Sequence, residues 1–353
     1  MKKKIIGILV CLLMIATCVL PVIGTFIVLK NEDKYLQKNA IDINPVPSGI
    51  TCLKFMIAGK SIRCFRSYWL HVPPSYDGSE AVPLVIGLNG YFYIKEQYYL
   101  NKSGPYWFFH SSYFENYTDF SKKADEEGFI VVYPNGKYIF QFYGWDYNFA
   151  WIPPLQMQHW KFVDDVGFLR DLIDKIKQDY MINSSRIYIT GFSDGGSMTY
   201  SAGAHLSDIV AAIAPAAGLI GGRMSENDTW SFIPTPANPV SVIAFHGTDD
   251  IAIPYEGDWG AASVNESIAF WVEHNGCDPT PEINISESGK IIRRNYTNGE
   301  NGTEVVLYTT VGGNHWWPGT HYNYVPGSVN IDTIQEISAT DLIWDFFEAH
   351  PKQ

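Results

Sequence analysis

Six short apolar runs, rich in β-branched residues and each closed by glycine or a turn residue, punctuate this chain: "PLVIGLNG" from Pro83, "GFIVVYPNG" from Gly128, "RIYITG" from Arg186, "IVAAIAPAAG" from Ile209, "VSVIAFHGT" from Val240 and "VVLYTTVGG" from Val305. Runs that are apolar at nearly every position, rather than alternating, suit strands buried on both faces. Helical patterns fill several of the gaps. Asp164 to Tyr180 places Val166, Leu169, Leu172, Ile173 and Ile176 on one stripe behind an Asp-Asp start, and Ser263 to His274 forms a second helical segment. A third continues from Asp194, and Ala339, Leu342, Ile343, Phe346 and Phe347 stripe a last one. This alternation predicts an α/β fold, a mostly parallel sheet with helices on both faces.

The chain has 353 residues, 46% of them hydrophobic and 15% aromatic, enough to bury a full core. Its 25 basic and 37 acidic residues leave a net charge of −12, spread without long runs, so a nucleic-acid partner meets net repulsion. Met1-Lys2-Lys3-Lys4 precedes an uncharged stretch from Ile5 to Leu29, the layout of a signal peptide or a signal-anchor helix. A polar linker covers 30–49, and the remaining 50–353 are expected outside the cytoplasm, either secreted or tethered. Three cysteines lie beyond the leader, and Cys52 and Cys64 flank Ala58-Gly59-Lys60 symmetrically with strand-like arms. A hairpin centred there sets them opposite each other as a disulfide, while Cys277 is a lone packed thiol. Eight Asn-x-Ser/Thr sequons are compatible with glycosylation in a host that performs it.

The chemistry centres on "GFSDGG", where Ser193 stands between Gly191 and Gly195 with a strand entering and a helix leaving. A sharp turn in that position lifts the hydroxyl above the sheet edge, and the N–H of Asp194 faces a developing oxyanion at the positive end of the helix. A serine hydroxyl needs a base and an orienting carboxylate, in the order Ser, Asp, His for this topology. "FHGTDD" ends one later strand with Asp249 and Asp250, and "GGNHWW" ends the next with His315. Neighbours on an extended segment point opposite ways, so the residues alone leave Asp249 and Asp250 as alternatives. His246 reads as a structural hydrogen-bonder and His321 as a surface residue. No metal-binding pattern is present, and no cofactor is expected.

Together with "RSYWLHVPPSYDG", "ADEEGFIVVYPNG", "DDVGFLRDLID" and "HNGCDPTP", these motifs make the stretch from Arg66 to His350 resemble the secreted polyhydroxybutyrate depolymerase and feruloyl esterase group of α/β-hydrolases. The resemblance implies an α/β-hydrolase fold, with Ser193 as nucleophile, Asp250 as acid and His315 as base. It implies an oxyanion hole from the N–H groups of Asp194 and Tyr91. It further implies hydrolysis of esters carried by a polysaccharide (feruloyl or acetyl) or by a polyhydroxyalkanoate. The chain departs from the family in carrying Asn89-Gly90-Tyr91 where His-Gly is common, and in an aromatic insertion at 91–117. Trp145 and Trp151, with Trp316 and Trp317, are candidate substrate contacts. A serine peptidase on the same fold and a catalytically dead, anchored sugar-binding protein are the competing readings.

Overall fold

The computed structural model describes residues 50–58, 64–90, 110–140, 147–150, 164–223, 226–227, 229–320 and 336–353. The leader, the linker, Tyr91, Trp145, Trp151, His321 and most of the aromatic insertion lie outside the described residues. Among the described residues, no helix is long and apolar enough to cross a membrane.

Fourteen strands run in chain order as β1 (Ile50–Ala58), β2 (Cys64–Val72), β3 (Val82–Leu88), β4 (Ile130–Pro134), β5 (Lys137–Phe140), β6 (Tyr147–Ala150), β7 (Ile182–Phe192), β8 (Ala212–Ala216), β9 (Gly221–Gly222), β10 (Ser231–Phe232), β11 (Ser241–Gly247), β12 (Glu282–Ile285), β13 (Ile291–Tyr296) and β14 (Val305–Thr310). The helices are α1 (His110–Thr118), α2 (Phe120–Glu127), α3 (Asp165–Asp179), α4 (Asp194–His205), α5 (Val264–His274) and α6 (Ala339–Ala349). Ten strands form one sheet in the order β1-β2-β4-β3-β7-β8-β11-β14-β13-β12. The six apolar runs are its centre, β4-β3-β7-β8-β11-β14, and every neighbouring pair among them is parallel. The flanks of this sheet are antiparallel, β1-β2-β4 on one side and β14-β13-β12 on the other.

Alternation along each central strand divides the core into two layers. Leu84, Ile86, Ile187 and Ile189 meet Phe168, Leu172 and Ile176 of α3, Met198 of α4 and Trp271 of α5 on one face. Val85, Val131, Tyr188 and Phe245 meet Phe114 of α1, Phe120 of α2, and Ile343 and Phe347 of α6 on the other. Full burial of each such side chain contributes about 1.5–3 kcal/mol. The helix starts follow their caps: Asp164 accepts from the N–H of Gly167 at 2.8 Å, and Ser263 and Glu266 form a reciprocal capping box. Arg66 of β2, buried over the Phe168 ring at 4.5 Å, is ion-paired with Asp165 and so ties the flank to the start of α3.

One expectation fails here. The β1-β2 register pairs Cys52 with Leu70 and Cys64 with Ala58, so the two cysteines lie six strand positions apart, about 20 Å at ~3.3 Å per residue. A disulfide needs Cα atoms within about 7 Å, so Cys52 and Cys64 are not bridged in this hairpin. The register follows Tyr68, Leu70 and Val72, which are all buried in the helical layer that holds α3. A shift by one residue turns that set to the opposite face. The C-terminal part of the aromatic insertion is α1, with Phe114 and Tyr117 buried, so that portion packs the core. Cys277 is buried and unpaired, as its sequence context suggested.

Candidate active site

Strand β7 delivers Ser193 to the parallel strands' C-terminal edge, and α4 begins at the next residue. Ser193 has φ 59° and ψ −121°, a left-handed conformation that costs a non-glycine residue about 1–3 kcal/mol and persists only where its surroundings impose it. Those surroundings are backbone. The Ser193 N–H donates to the Ala216 carbonyl of β8 at 2.9 Å. A side chain on Gly191 would strike the Gly195 carbonyl, and one on Gly195 would strike the Leu88 carbonyl of β3. Both glycines are therefore required for the close approach of α4 to the sheet.

The loops after β11 and β14 carry the other two groups, and they are stitched together. The Thr248 N–H donates to the Thr310 carbonyl at 3.0 Å, the Asp249 N–H to Gly313 at 2.9 Å, and the Gly312 N–H to the Thr248 hydroxyl at 2.8 Å. This places His315 Nδ1 2.7 Å from Asp250 Oδ2 and His315 Nε2 2.7 Å from Ser193 Oγ. A carboxylate only accepts, so Nδ1 carries the proton and Nε2 is left to receive the serine's. The His315 ring also rests against Phe192, 4.9 Å between centroids.

The same geometry decides between the two aspartates. Asp249 is exposed and accepts only from its neighbour Thr248, whereas Asp250 is 4% exposed, accepts from three donors and has a second histidine beside it. Its Oδ1 accepts from the N–H groups of Ala252 and Ile253 at 2.9 and 2.8 Å, and its Oδ2 faces His315 and, at 3.4 Å, His246 Nε2. Burial pushes this carboxyl up, but the hydrogen bonds from His246, His315 and Ile253 outweigh it and hold Asp250 well below the usual carboxylate range. His246 also donates to the Ile253 carbonyl at 2.9 Å, the structural role its sequence context suggested.

Trp317 requires a correction. It is 1% exposed, its indole N–H donates to the Thr340 hydroxyl at 3.1 Å, and its ring stands edge-on to Phe114 and Phe120. It is a core residue that anchors the His315 loop, not a substrate contact. Trp316 is partly buried against the same layer. Asn89 has a role that its sequence position marks only as a departure from the family: it is fully buried and donates through Nδ2 to the Gly90 carbonyl at 3.0 Å. Gly90 lies against Ser193, where a Cβ would come 3.0 Å from the serine Cβ. Among the described residues, no three His, Cys, Asp or Glu side chains converge to hold a metal.

The Asp194 carboxyl, next to Ser193, is pushed up to about 7 by burial and, secondly, by the negative charge of Asp165. A raised acid stabilises the fold in its protonated form, and that contribution is lost as pH climbs from the ordinary value of 3.8 through about 7. Asp194→Asn, which does not titrate, is therefore expected to gain thermal stability over the parent chain across that window, by roughly 2–8 °C between pH 4 and pH 8 after allowing for solvent screening. Melting curves at the two pH values check this; parallel pH dependences in parent and variant contradict it.

A family model described as Phospholipase/Carboxylesterase matches residues 129–279, a span that takes in Ser193 and Asp250. Feruloyl esterase B of Piromyces equi is 32% identical over 161 residues, which cover 43% of this chain and 29% of that protein. Feruloyl esterase C of Emericella nidulans is 26% identical over 189 residues, 53% of this chain and 58% of that one. The chain thus spans less than two thirds of the length of either relative. Acetyl xylan esterase from Aspergillus awamori superposes with a TM-score of 0.52 at 16% identity, covering 84% of this chain and 99% of that one. Sheet order, the turn at Ser193 and these likenesses agree: the chain has the α/β-hydrolase fold and is similar in sequence to feruloyl esterases.

Proposed function

We propose that this chain is an exported serine carboxylesterase that cleaves esters borne by a polymer, foremost the feruloyl or acetyl esters of a plant polysaccharide. The observation that carries the proposal is the unbroken relay from Asp250 through His315 to Ser193, with both contacts at 2.7 Å. His315 Nε2 takes the Ser193 proton as Oγ attacks the ester carbonyl. Asp250 holds the imidazole with Nδ1 protonated and stabilises the cation that forms. His315 then returns the proton to the leaving alcohol, and a water activated by the same nitrogen hydrolyses the acyl-serine. No step draws on a cofactor.

The N–H groups of Asp194 and Tyr91 are the proposed oxyanion donors, each contributing about 3–4 kcal/mol to the tetrahedral intermediate in enzymes of this type. The Gly90 carbonyl and the Tyr91 N–H belong to one planar peptide unit. Asn89 holds the carbonyl of that unit through its Nδ2 at 3.0 Å. A backbone donor does not depend on the Tyr91 side chain, so the departure at 89–91 is compatible with a donor at that position.

Export, by secretion or by an N-terminal anchor, rests on the leader. The feruloyl and acetyl assignment rests on the named relatives and is the finer part of the proposal. Kinetics on p-nitrophenyl acetate, methyl ferulate, acetylxylan and hydroxybutyrate oligomers, beside peptide p-nitroanilides, test it. The expected outcome is ester hydrolysis with kcat/KM on the anilides lower by about 10³-fold or more, because an amide nitrogen is a far poorer leaving group. Cleavage of the anilides without ester hydrolysis would make the chain a peptidase instead.

A further inference from the structure

Two insertions leave the sheet beside the catalytic residues and meet each other. The first follows β8 and contains β9 and β10, which pair with each other; the second follows Asp250 and runs to the cap of α5. Gly222 bridges to Ala261, and the Arg223 N–H donates to the Gly260 carbonyl at 2.9 Å, so the two form one small projecting sheet. Its root is at the site: a Cβ on Gly218 would come 2.4 Å from the backbone of Gly196, in the first turn of the nucleophile helix.

This projection exposes three large aromatic side chains, Trp230 (40%), Phe232 (49%) and Trp259 (52%). Rings exposed to this extent cost hydration free energy that a surface loop has no structural reason to bear, and here they are held in place. Trp230 and Phe232 stack with planes 12° apart and centroids 5.8 Å apart. The Arg223 guanidinium lies 5.4 Å from the Trp230 ring centre and donates through Nε to the Trp259 carbonyl, bracing both insertions. Phe232 lies directly over Gly221, where its ring occupies the space that any Cβ would need, at 2.2 Å. The glycine is required so that the ring can be seated, although the seat buries only half of it.

We infer that Trp230, Phe232 and Trp259 form a platform for the sugar backbone of a polysaccharide, outside the Ser193 relay. The inference deepens the esterase proposal by naming the carrier of the ester, and in that respect rests on it. The exposed ring surface of the stacked Trp230–Phe232 pair, with that of Trp259, offers apolar contact to the axial C–H groups of pyranose rings. Glu226, Asn227, Thr229, Glu256 and Asp258 are exposed around the rings. Carboxylates and amides set among the rings suit the equatorial hydroxyls of a glycan. Laying an apolar polyester film over the same patch would strip water from those charges without replacing it. The polar rim therefore selects a glycan over a polyester.

Affinity electrophoresis in gels containing soluble arabinoxylan tests this on the full chain carrying Ser193→Ala, so that binding is read without turnover. The expected result is retardation of this protein and a loss of about tenfold or more in affinity on adding Trp230→Ala and Trp259→Ala. The same two substitutions in the active chain are expected to leave kcat/KM on p-nitrophenyl acetate within about twofold and to raise KM on feruloylated arabinoxylan. As a measurement on the unsubstituted platform, arabinoxylan is expected to protect Trp230 and Trp259 from N-bromosuccinimide oxidation. Absence of retardation, retardation unchanged by the two substitutions, or absence of protection each overturns the inference. Adsorption to polyhydroxybutyrate film that depends on the same tryptophans, without arabinoxylan retardation, assigns the platform to a polyester and overturns it too. Failure of the esterase proposal reads differently: small esters are not hydrolysed, while glycan binding by the Ser193→Ala chain persists.

Discussion

Ser193→Ala is expected to lower kcat on p-nitrophenyl acetate by about 10⁴- to 10⁶-fold while KM changes little. The substitution deletes the hydroxyl that lies 2.7 Å from His315 Nε2, and it leaves the turn in place because alanine meets the same φ of 59° at no greater cost than serine. His315→Ala is expected to lose a similar factor, and the double variant hardly more than either alone, because the pair acts as one unit. The residual rate reflects the oxyanion donors and binding. Steady-state kinetics on the purified variants, with circular dichroism to show retention of fold, check the expectation. A Ser193→Ala protein that keeps a tenth of the parent rate would remove this serine from the chemistry.

The second large effect concerns Asp250. Asp250→Asn is expected to reduce kcat by about 10⁴-fold, whereas Asp249→Asn stays within about twofold of the parent. The reason lies in the donor count. Oδ1 must remain an acceptor for the N–H groups of Ala252 and Ile253, so the asparagine amide turns its NH₂ toward His315 and His246. His246 already donates to the Ile253 carbonyl and His315 presents its Nδ1–H, so donor faces donor and the imidazole is driven to the wrong tautomer. Stability moves in the same direction. The parent carboxyl is held below its ordinary range, a contribution present above the unfolded-state value of 3.8 and lost only as pH falls through the lower folded-state value. The asparagine variant lacks it, and is expected to melt lower than the parent at pH 7 with the gap narrowing in strong acid. Equal rates for the Asp249 and Asp250 variants would mean that the relay does not run through Asp250.

The central parallel strands and the helices that cover them are legible in the residues because each signal is local. A fully apolar run closed by glycine has one economical fate in a chain of this size, and the stripe behind Asp164 has both a period and a cap. The order Ser193, Asp250, His315 is legible for a related reason: each residue follows a strand of the parallel centre of the sheet, so the three gather on one edge. The roles of Asn89 and of the Arg223-braced rings leave no comparable trace, since neither residue lies in a periodic segment.

Other features were decided only when distant segments met. The pairing of β1 with β2 obeys burial of Tyr68, Leu70 and Val72 under α3, which the spacing of Cys52 and Cys64 does not report. Trp317 lies in an exposed-looking aromatic loop, yet its backbone N–H donates to the Tyr117 hydroxyl, 200 positions away in the chain, and its indole to Thr340. The choice of Asp250 over its neighbour depends on which carboxylate the β14 loop covers. By itself the sequence determined which segments become strands and helices and which residue types reach the reactive edge, because dihedral preference and hydrophobic period act within a few residues. Only the tertiary structure decided register, burial and proton-bearing partner, because hydrogen bonds and packing act across space and are indifferent to separation along the chain.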